Sequence, residues 1–457
     1  MKACLLLLTP LFSSLLLATT GGGPYAHTGA FGEGNCNDAG CHRNTLGGTG
    51  SVTIDVGPYV PGQKQRVRVT INDAGARAWG FQLAARETRN LQRQAGAFTV
   101  PENYNFVWIH CADGTVKRDQ PCNNQLEYVT HTSVGTRLGT PAGLTGVTFI
   151  IDWTSPSSDV GDIAFSVAAL GADGDLGTNG DRTYNTTFTS LYAPSNQPTL
   201  DDGGVVNAAG FARGRPISSG TIVSLFGKKL APPNFRREVT RSDLTTNQRL
   251  PIELQRISAD FLVAGTDPAP GYVLFVSDTQ LNVQVPALPS GAAKVDVQPV
   301  FNRGQGANEI RGNRVTVNVQ NVSPGLFTFS DGVSVAAVTA SGAPVGRAGL
   351  FANSRPARPG DVILVFGTGY GPTSPVVDPG ALAPDGPVSL TAPIAARIGN
   401  LFLTGSDILY AGAAPSFAGL QQFNIRIPAG VASGDQPIVI SAGGIESQST
   451  AILTVQQ

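Results

Sequence analysis

Apolar residues in this chain recur at every second position, segment after segment, and no stretch carries the period of a long amphipathic helix. Val52, Ile54 and Val56 alternate with other residues, as do Val67, Val69 and Ile71. Val147, Phe149, Ile151 and Trp153 share one parity, and so do Ile163, Phe165 and Val167. Successive side chains of an extended strand point to opposite faces, so each run predicts a half-buried antiparallel strand. With 56 Gly, 32 Pro and 41% apolar residues, the chain is too hydrophobic for disorder and suits short strands joined by turns. An all-β fold of stacked sandwiches follows. At 457 residues it exceeds one ordinary core, so several domains are expected. Lys and Arg total 31 against 32 Asp and Glu, which leaves no electrostatic footprint for nucleic acid or an anionic membrane.

The first 20 residues read as a secretory signal, with Lys2 before an apolar stretch and small residues at Ala18-Thr-Thr20. The stretch is short and broken by Pro10, Ser13 and Ser14, and no later segment is apolar enough to span a bilayer, so a secreted or surface-displayed protein is expected. A linker is expected from Ala193 to Gly204. Beyond it the chain repeats itself. Arg215-Pro-Ile-Ser-Ser-Gly-Thr-Ile-Val-Ser-Leu-Phe-Gly227 parallels Arg355-Pro-Ala-Arg-Pro-Gly-Asp-Val-Ile-Leu-Val-Phe-Gly367, and Gln280-Leu-Asn-Val-Gln-Val-Pro286 parallels Gln422-Phe-Asn-Ile-Arg-Ile-Pro428. Two landmarks in one order at nearly one offset indicate a duplicated domain. The expected organisation is a first sandwich over 26–195 and two repeats over 203–330 and 331–457. The Gln and Asn of each repeat read as amides satisfying a strand edge. The polar stretch from Pro232 to Gln248, present only in the first copy, reads as a solvated loop.

Chemistry concentrates in Gly34-Asn-Cys36-Asn-Asp-Ala-Gly-Cys41-His42. Three readings stand. Cys36 and Cys41 could close a small disulfide loop, since Asn37-Asp-Ala-Gly40 is turn-forming and export favours disulfides. Two thiols followed directly by a histidine could instead attach a c-type haem, with His27, His110 or His131 as second axial ligand, although four residues rather than two separate the thiols. A zinc or copper site from Cys36, Cys41, His42 and His27 is the third. Cys111 and Cys122 are expected to pair with each other. His131 also reads as a hydrogen-bonded structural residue at a strand end, and His110 as a loop residue beside that disulfide. Asp173, Asp175, Asn179 and Asp181 have the look of a calcium loop, but Gly177 and Tyr184 stand where an EF-hand needs oxygen ligands, so an acidic hairpin turn competes with a Ca²⁺ site. No nucleophile elbow, zinc-protease motif or phosphate loop occurs, and the last 326 residues hold neither His nor Cys, so no enzyme is expected.

Two family resemblances add to this. Thr28-Gly-Ala-Phe-Gly-Glu-Gly34, the cysteine cluster, Tyr59-Val-Pro-Gly62, Gly80-Phe-Gln-Leu-Ala-Ala85, Tyr128-Val-Thr-His-Thr132, Trp153-Thr-Ser-Pro156 and Gly180-Asp-Arg-Thr-Tyr184 resemble a bacterial reeler-like domain of the choice-of-anchor type. Val205-Val-Asn-Ala-Ala-Gly-Phe211, Gly220-Thr-Ile-Val-Ser-Leu-Phe-Gly227, Ser323-Pro-Gly-Leu-Phe327 and Tyr410-Ala-Gly-Ala-Ala-Pro415, with the Gln-x-Asn strands, resemble an uncharacterised C-terminal domain family of acidobacterial secreted proteins, with immunoglobulin-like copies. The resemblances imply placement outside the cell, not a reaction. The expected function is non-catalytic adhesion or attachment, the partner an extracellular protein or polysaccharide. A haem electron carrier and a carbohydrate-binding surface protein are the alternatives.

Overall fold

The computed structural model describes residues 21–38, 42, 50–123, 125–138, 145–175, 177–193 and 197–457. The expected signal segment and Cys41 lie outside them. The described chain is built of antiparallel strands with only short 3-10 turns between them, and none of its helices is long and apolar enough to cross a membrane. It divides into two compact units, 1–192 and 193–457.

The first unit is a sandwich of two sheets. A four-stranded sheet runs in the order Ser51–Asp55, Lys64–Asn72, Gly146–Thr154, Ala97–Thr99. Opposite it, the order is Arg182–Ser190, Ile163–Ala172, Ala78–Glu87, Glu127–His131, Val107–Cys111, Val116–Lys117, with Asn90–Gln94 added to Ala78–Glu87. The alternating residues enter the core as their spacing requires. Val67, Val69, Ile71, Phe149, Ile151, Trp153, Ile163, Phe165 and Val167 are fully buried. Trp153 meets Phe165 edge-on at 4.9 Å and Tyr59 at 6.0 Å. Each such aromatic contributes about 1.5–3 kcal/mol through burial.

One expectation needs correction. The strand at Ile163–Ala172, expected to be half-buried, is buried at nearly every position, and its neighbour Ala78–Glu87 is buried at every one. The second face of Ala78–Glu87 is covered by the N-terminal segment 21–38. The Gln82 side chain accepts the His27 N–H at 2.7 Å and donates to the Pro24 carbonyl at 2.9 Å. Tyr25 stacks on Tyr128 at 6.1 Å. Arg86, 1% exposed, donates to Glu33 at 3.0 Å and to Gln94 at 2.8 Å and lies 5.1 Å from the Tyr128 ring centre. Glu33 in turn accepts from the Thr28 hydroxyl at 2.5 Å.

The second unit carries the duplication. In the first copy Ile222–Lys228 pairs with Gln280–Gln284, setting Phe226 against Gln280 and Ser224 against Asn282. In the second, Val362–Thr368 pairs with Gln421–Arg426, setting Phe366 against Gln422 and Leu364 against Asn424. The register is the same. Both copies also place a bulge in the next strand, between Val273 and Phe275 and between Ile408 and Tyr410. The repeated Phe-Gly has a steric cause: a side chain at Gly227 would come within 2.0 Å of the Thr199 carbonyl, and one at Gly367 within 2.6 Å of the Gly325 carbonyl, so only glycine admits the flanking strand. The repeated amides serve one purpose as well, with Gln280 donating to Asn282 and Gln422 to Asn424, each at 2.8 Å.

Each copy has its own core, one around Val223, Phe261, Val283 and Phe301, the other around Ile363, Tyr370, Phe423 and Ile440. Two boundaries differ from expectation. Strand Thr199–Asn207 occupies much of the expected linker, and Gly325–Leu326 already belongs to the second copy's sheet. The expected loop at 232–248 contains an edge strand, Arg236–Glu238, paired to Tyr272–Ser277, and a 3-10 turn capped by Thr240 and Asp243. The pairing gives that polar stretch backbone partners that a solvated loop would lack.

Candidate functional site: the histidine face of the first unit

The chain has four histidines, His27, His42, His110 and His131, and the fold brings all of them to the seven-stranded sheet of the first unit or the segment lying over it. His27 is held by its backbone bond to Gln82, and its Nδ1 donates to the Tyr25 carbonyl at 2.9 Å. The Cys36 carbonyl accepts the His42 N–H at 3.2 Å, which ties His42 to Cys36. His42 Nδ1 lies 2.6 Å from Asp181 Oδ2, the two side chains 17% and 2% exposed. The other Asp181 oxygen accepts the Asp173 N–H at 3.1 Å, so the carboxylate is oriented from both sides. A carboxylate on Nδ1 leaves Nε2 as the free nitrogen, the disposition of a ligating imidazole.

His131 ends its strand and is buried. Its Nδ1 accepts the Phe81 N–H at 3.1 Å. The Phe81 carbonyl is 3.4 Å from the same nitrogen but is already taken by the Thr130 hydroxyl at 2.8 Å, so the neutral ring carries its proton on Nε2. Burial pushes His131 down to about 4, with the Phe81 carbonyl opposing and positive charge on His110 and His42 adding to the fall. That tautomer counts against His131 as an axial ligand through Nε2. His110 is a strand residue within Val107–Cys111, not a loop residue, because Val107–Cys111 pairs along its length with Glu127–His131. Burial lowers its pKa, and its Nε2 is buried without a hydrogen-bond partner among the described residues.

Cys111 and Cys122 form the expected disulfide, their Cα atoms 5.5 Å apart. Buried Glu127 fastens it by accepting the Cys122 and Phe98 N–H groups at 2.8 and 2.7 Å, and burial raises that carboxyl's pKa. The expected Cys36–Cys41 pairing lies outside the described residues, since Cys41 does. The acidic residues do not converge. Asp173 caps the Asp175 N–H at 3.0 Å, Asp175 caps the Gly177 N–H at 2.6 Å, and Asp181 serves His42. Among the described residues no three His, Cys, Asp or Glu side chains are arranged to hold a metal ion. Sequence reasoning missed the His42–Asp181 pair and the covering role of residues 21–38. The adjacency of His42 to the cysteines was visible, but nothing local pointed 139 residues ahead to Asp181.

No family model matches the chain, and no curated protein matches it. Among solved structures it is similar to the human F-spondin reeler domain, with 18% identity over 33% of this chain and 95% of that one and a TM-score of 0.19. It is also similar to SGBP-B of the Bacteroides ovatus mixed-linkage glucan utilization locus, at 11% identity over 80% and 64% of the two chains and a TM-score of 0.24. The plexin A4 extracellular region matches at 11% identity over 82% and 48%, with a TM-score of 0.16. At these scores the likenesses establish neither a family nor an activity for this chain.

Proposed function

We propose that the chain is a secreted or surface-displayed, non-catalytic binding protein, in which a reeler-like sandwich is the recognition module and the duplicated unit is a stiff attachment element. The observation that carries this reading is the joint between the two copies. Gly380 N–H donates to Gln284 at 2.7 Å, and the Gly380 carbonyl accepts the Leu250 N–H at 2.8 Å. Arg249 donates to the Pro379 carbonyl at 2.5 Å and to the Tyr272 hydroxyl at 3.1 Å. Ile222 N–H donates to Thr368 at 3.0 Å, and Asn207 to the Ser323 carbonyl at 2.7 Å. Four of these bonds, from Gln284, Leu250, Arg249 and Ile222, cross from the first copy to the second, and a joint tied in this way suits load-bearing or display rather than turnover. The test is retention of the full chain on a panel of immobilised extracellular polysaccharides and envelope proteins. Saturable binding by at least one is expected, and no retention on any would refute the reading.

His42 favours a second reading, an exported haem protein. Its Nδ1 bond to Asp181 leaves Nε2 suited to iron, and the Cys36 carbonyl bond brings the first cysteine to the same turn. Cys36 and Cys41 would hold the group and His42 would ligate it. A covalent haem supplies one-electron transfer. Export from a host with c-type haem maturation, followed by a spectrum of the denatured protein, tests this. A Soret band lost in Cys41→Ala supports it, and a colourless protein refutes it.

A further inference from the structure

The first copy of the duplicated unit has an open seam. Thr199–Asn207 and Val315–Asn318 end their respective sheets, each paired on one side only, to Ile222–Lys228 and to Lys294–Phe301. The seam is closed at both ends. The Asn313 side chain accepts the Leu200 N–H at 2.7 Å and donates to the Leu200 carbonyl at 2.9 Å. At the other end Ile217 N–H donates to the Asn318 carbonyl at 2.9 Å, and Gln320 N–H to the Ile217 carbonyl at 3.0 Å. Between these ties lies a groove of about 220 Å³, lined by Gly203, Val205, Gly214, Lys294 and the strand Val315–Asn318. The first strand shifts register between Leu200 and Val205, and Gly203 and Gly214, with φ of +63° and +71°, place no side chain in the gap.

Strand parity decides which backbone groups face the groove. Val319 N–H donates to the Ala293 carbonyl on the paired side, whereas the Asn318 carbonyl takes its bond from the open side, so even-numbered residues turn their N–H and C=O groups outward. Thr316 N–H and C=O and Asn318 N–H therefore point to the open side. By the same count Ala208 N–H donates to Ile222 on the paired side, so Val205 also turns its backbone groups outward. Among the described residues no hydrogen bond takes up these groups. Val205 and Val317 are buried and give the groove an apolar floor, and exposed Lys294 supplies its charge. Peptide donors and acceptors at strand spacing beside an apolar floor are the recognition elements for an extended chain. We infer that the groove receives a short extended segment of a partner protein as an added strand on Val315–Asn318, with a carboxylate at the end that meets Lys294. The free edge over residues 314–317 takes about four residues of strand, about 14 Å. The assignment rests on the chain being a binding protein, and it places a docking site in the unit read as an attachment element.

The test uses the full chain and the synthetic peptide Glu-Thr-Val-Thr-Val-Glu, capped at both termini, so that either strand direction brings a carboxylate to Lys294. Binding is read by calorimetric titration and by hydrogen exchange of residues 315–318. The peptide should bind and slow exchange there. N-methylation of its alternate amides should weaken binding about thirtyfold, for two lost hydrogen bonds, and Lys in place of both Glu residues about two- to fivefold. Thr316→Pro removes an N–H that the ladder does not use, which an edge strand tolerates, and should abolish binding. Thr316→Val loses only the hydroxyl bond to Asp296 and should keep it. Should Thr316→Pro fail to fold, Lys294→Glu decides, since that exposed side chain can change without disturbing the core and should reverse the preference between the acidic and the lysine peptide. No binding by the acidic peptide, equal binding by its N-methylated form, or an unchanged preference in Lys294→Glu overturns the inference. Protection of residues 315–318 by oligogalacturonate and not by the peptide also overturns it, and gives the groove to an acidic glycan. Each of these failures leaves retention on the polysaccharide and protein panel as it was, so the two readings fall separately.

Discussion

Gly380→Ala should weaken the joint between the duplicated sandwiches, and the structure sets the size of the effect. Gly380 has φ of +85°, in the left-handed region. A non-glycine residue there costs about 1–2 kcal/mol. The added Cβ would also lie 2.4 Å from two carbons of the Tyr272 ring. Moving that ring removes the Arg249 bond to its hydroxyl and the guanidinium packed 5.4 Å from its centre. A hydrogen bond to a charged group is worth about 1.5–3 kcal/mol. The sum is about 2.5–5 kcal/mol. Gly434→Ala isolates the backbone share, because Gly434 has φ of +97° with nothing within 4 Å of its would-be Cβ. It should cost only about 1–2 kcal/mol. Urea unfolding of the full chain, followed by far-ultraviolet circular dichroism, compares the two. All three tryptophans, Trp79, Trp108 and Trp153, lie in the first unit, so their fluorescence is an internal control that neither variant should move. Equal losses for the two variants, or a Gly380→Ala loss under about 1 kcal/mol, would refute the steric argument.

Further predictions concern buried charge and the disulfide. Burial pushes the Asp73 carboxyl up, but bonds from Arg182 and Tyr184 outweigh it and hold the group below its ordinary 3.8. Its stabilising contribution is therefore full above that ordinary value and is lost as pH falls through the folded one. Asp73→Asn should lower stability by about 2 kcal/mol at pH 7, discounted for the partly exposed Arg182, and should flatten the acid limb of a tryptophan-monitored unfolding curve. Asp260, 0% exposed, receives Arg303 at 2.5 Å and Arg311 at 2.8 Å. Asp260→Ala should cost about 2–4 kcal/mol in circular dichroism melts, since two arginines lose their counter-charge, and Asp260→Asn less. Replacing Cys111 and Cys122 together by Ser should cost about 2.5–3 kcal/mol by the loop-entropy model, read by tryptophan fluorescence in urea.

Much of the architecture was determined by sequence alone. Alternation at Val67, Val69 and Ile71, or at Val147 to Trp153, specifies which face is buried because a strand's period is two and needs no distant information. The duplication was equally legible. Phe-Gly and Gln-x-Asn recur because each copy needs the same close approach and the same edge amide, and both copies meet that need in one register. The cysteine pair at 111 and 122 followed from count and compartment. What only the tertiary structure decided lies at long range. Ile163–Ala172 reads as half-buried, yet nearly every position is buried, and its neighbour Ala78–Glu87 has its second face covered by a segment some fifty residues upstream, through contacts such as Arg86–Glu33. His42 meets Asp181 across 139 residues of chain, and His131 takes its tautomer from Phe81, fifty residues away. Periodicity reports the face a residue occupies, but not which distant group will stand opposite it. A histidine's chemistry depends on that opposing group, so it emerges only when the sheet is assembled.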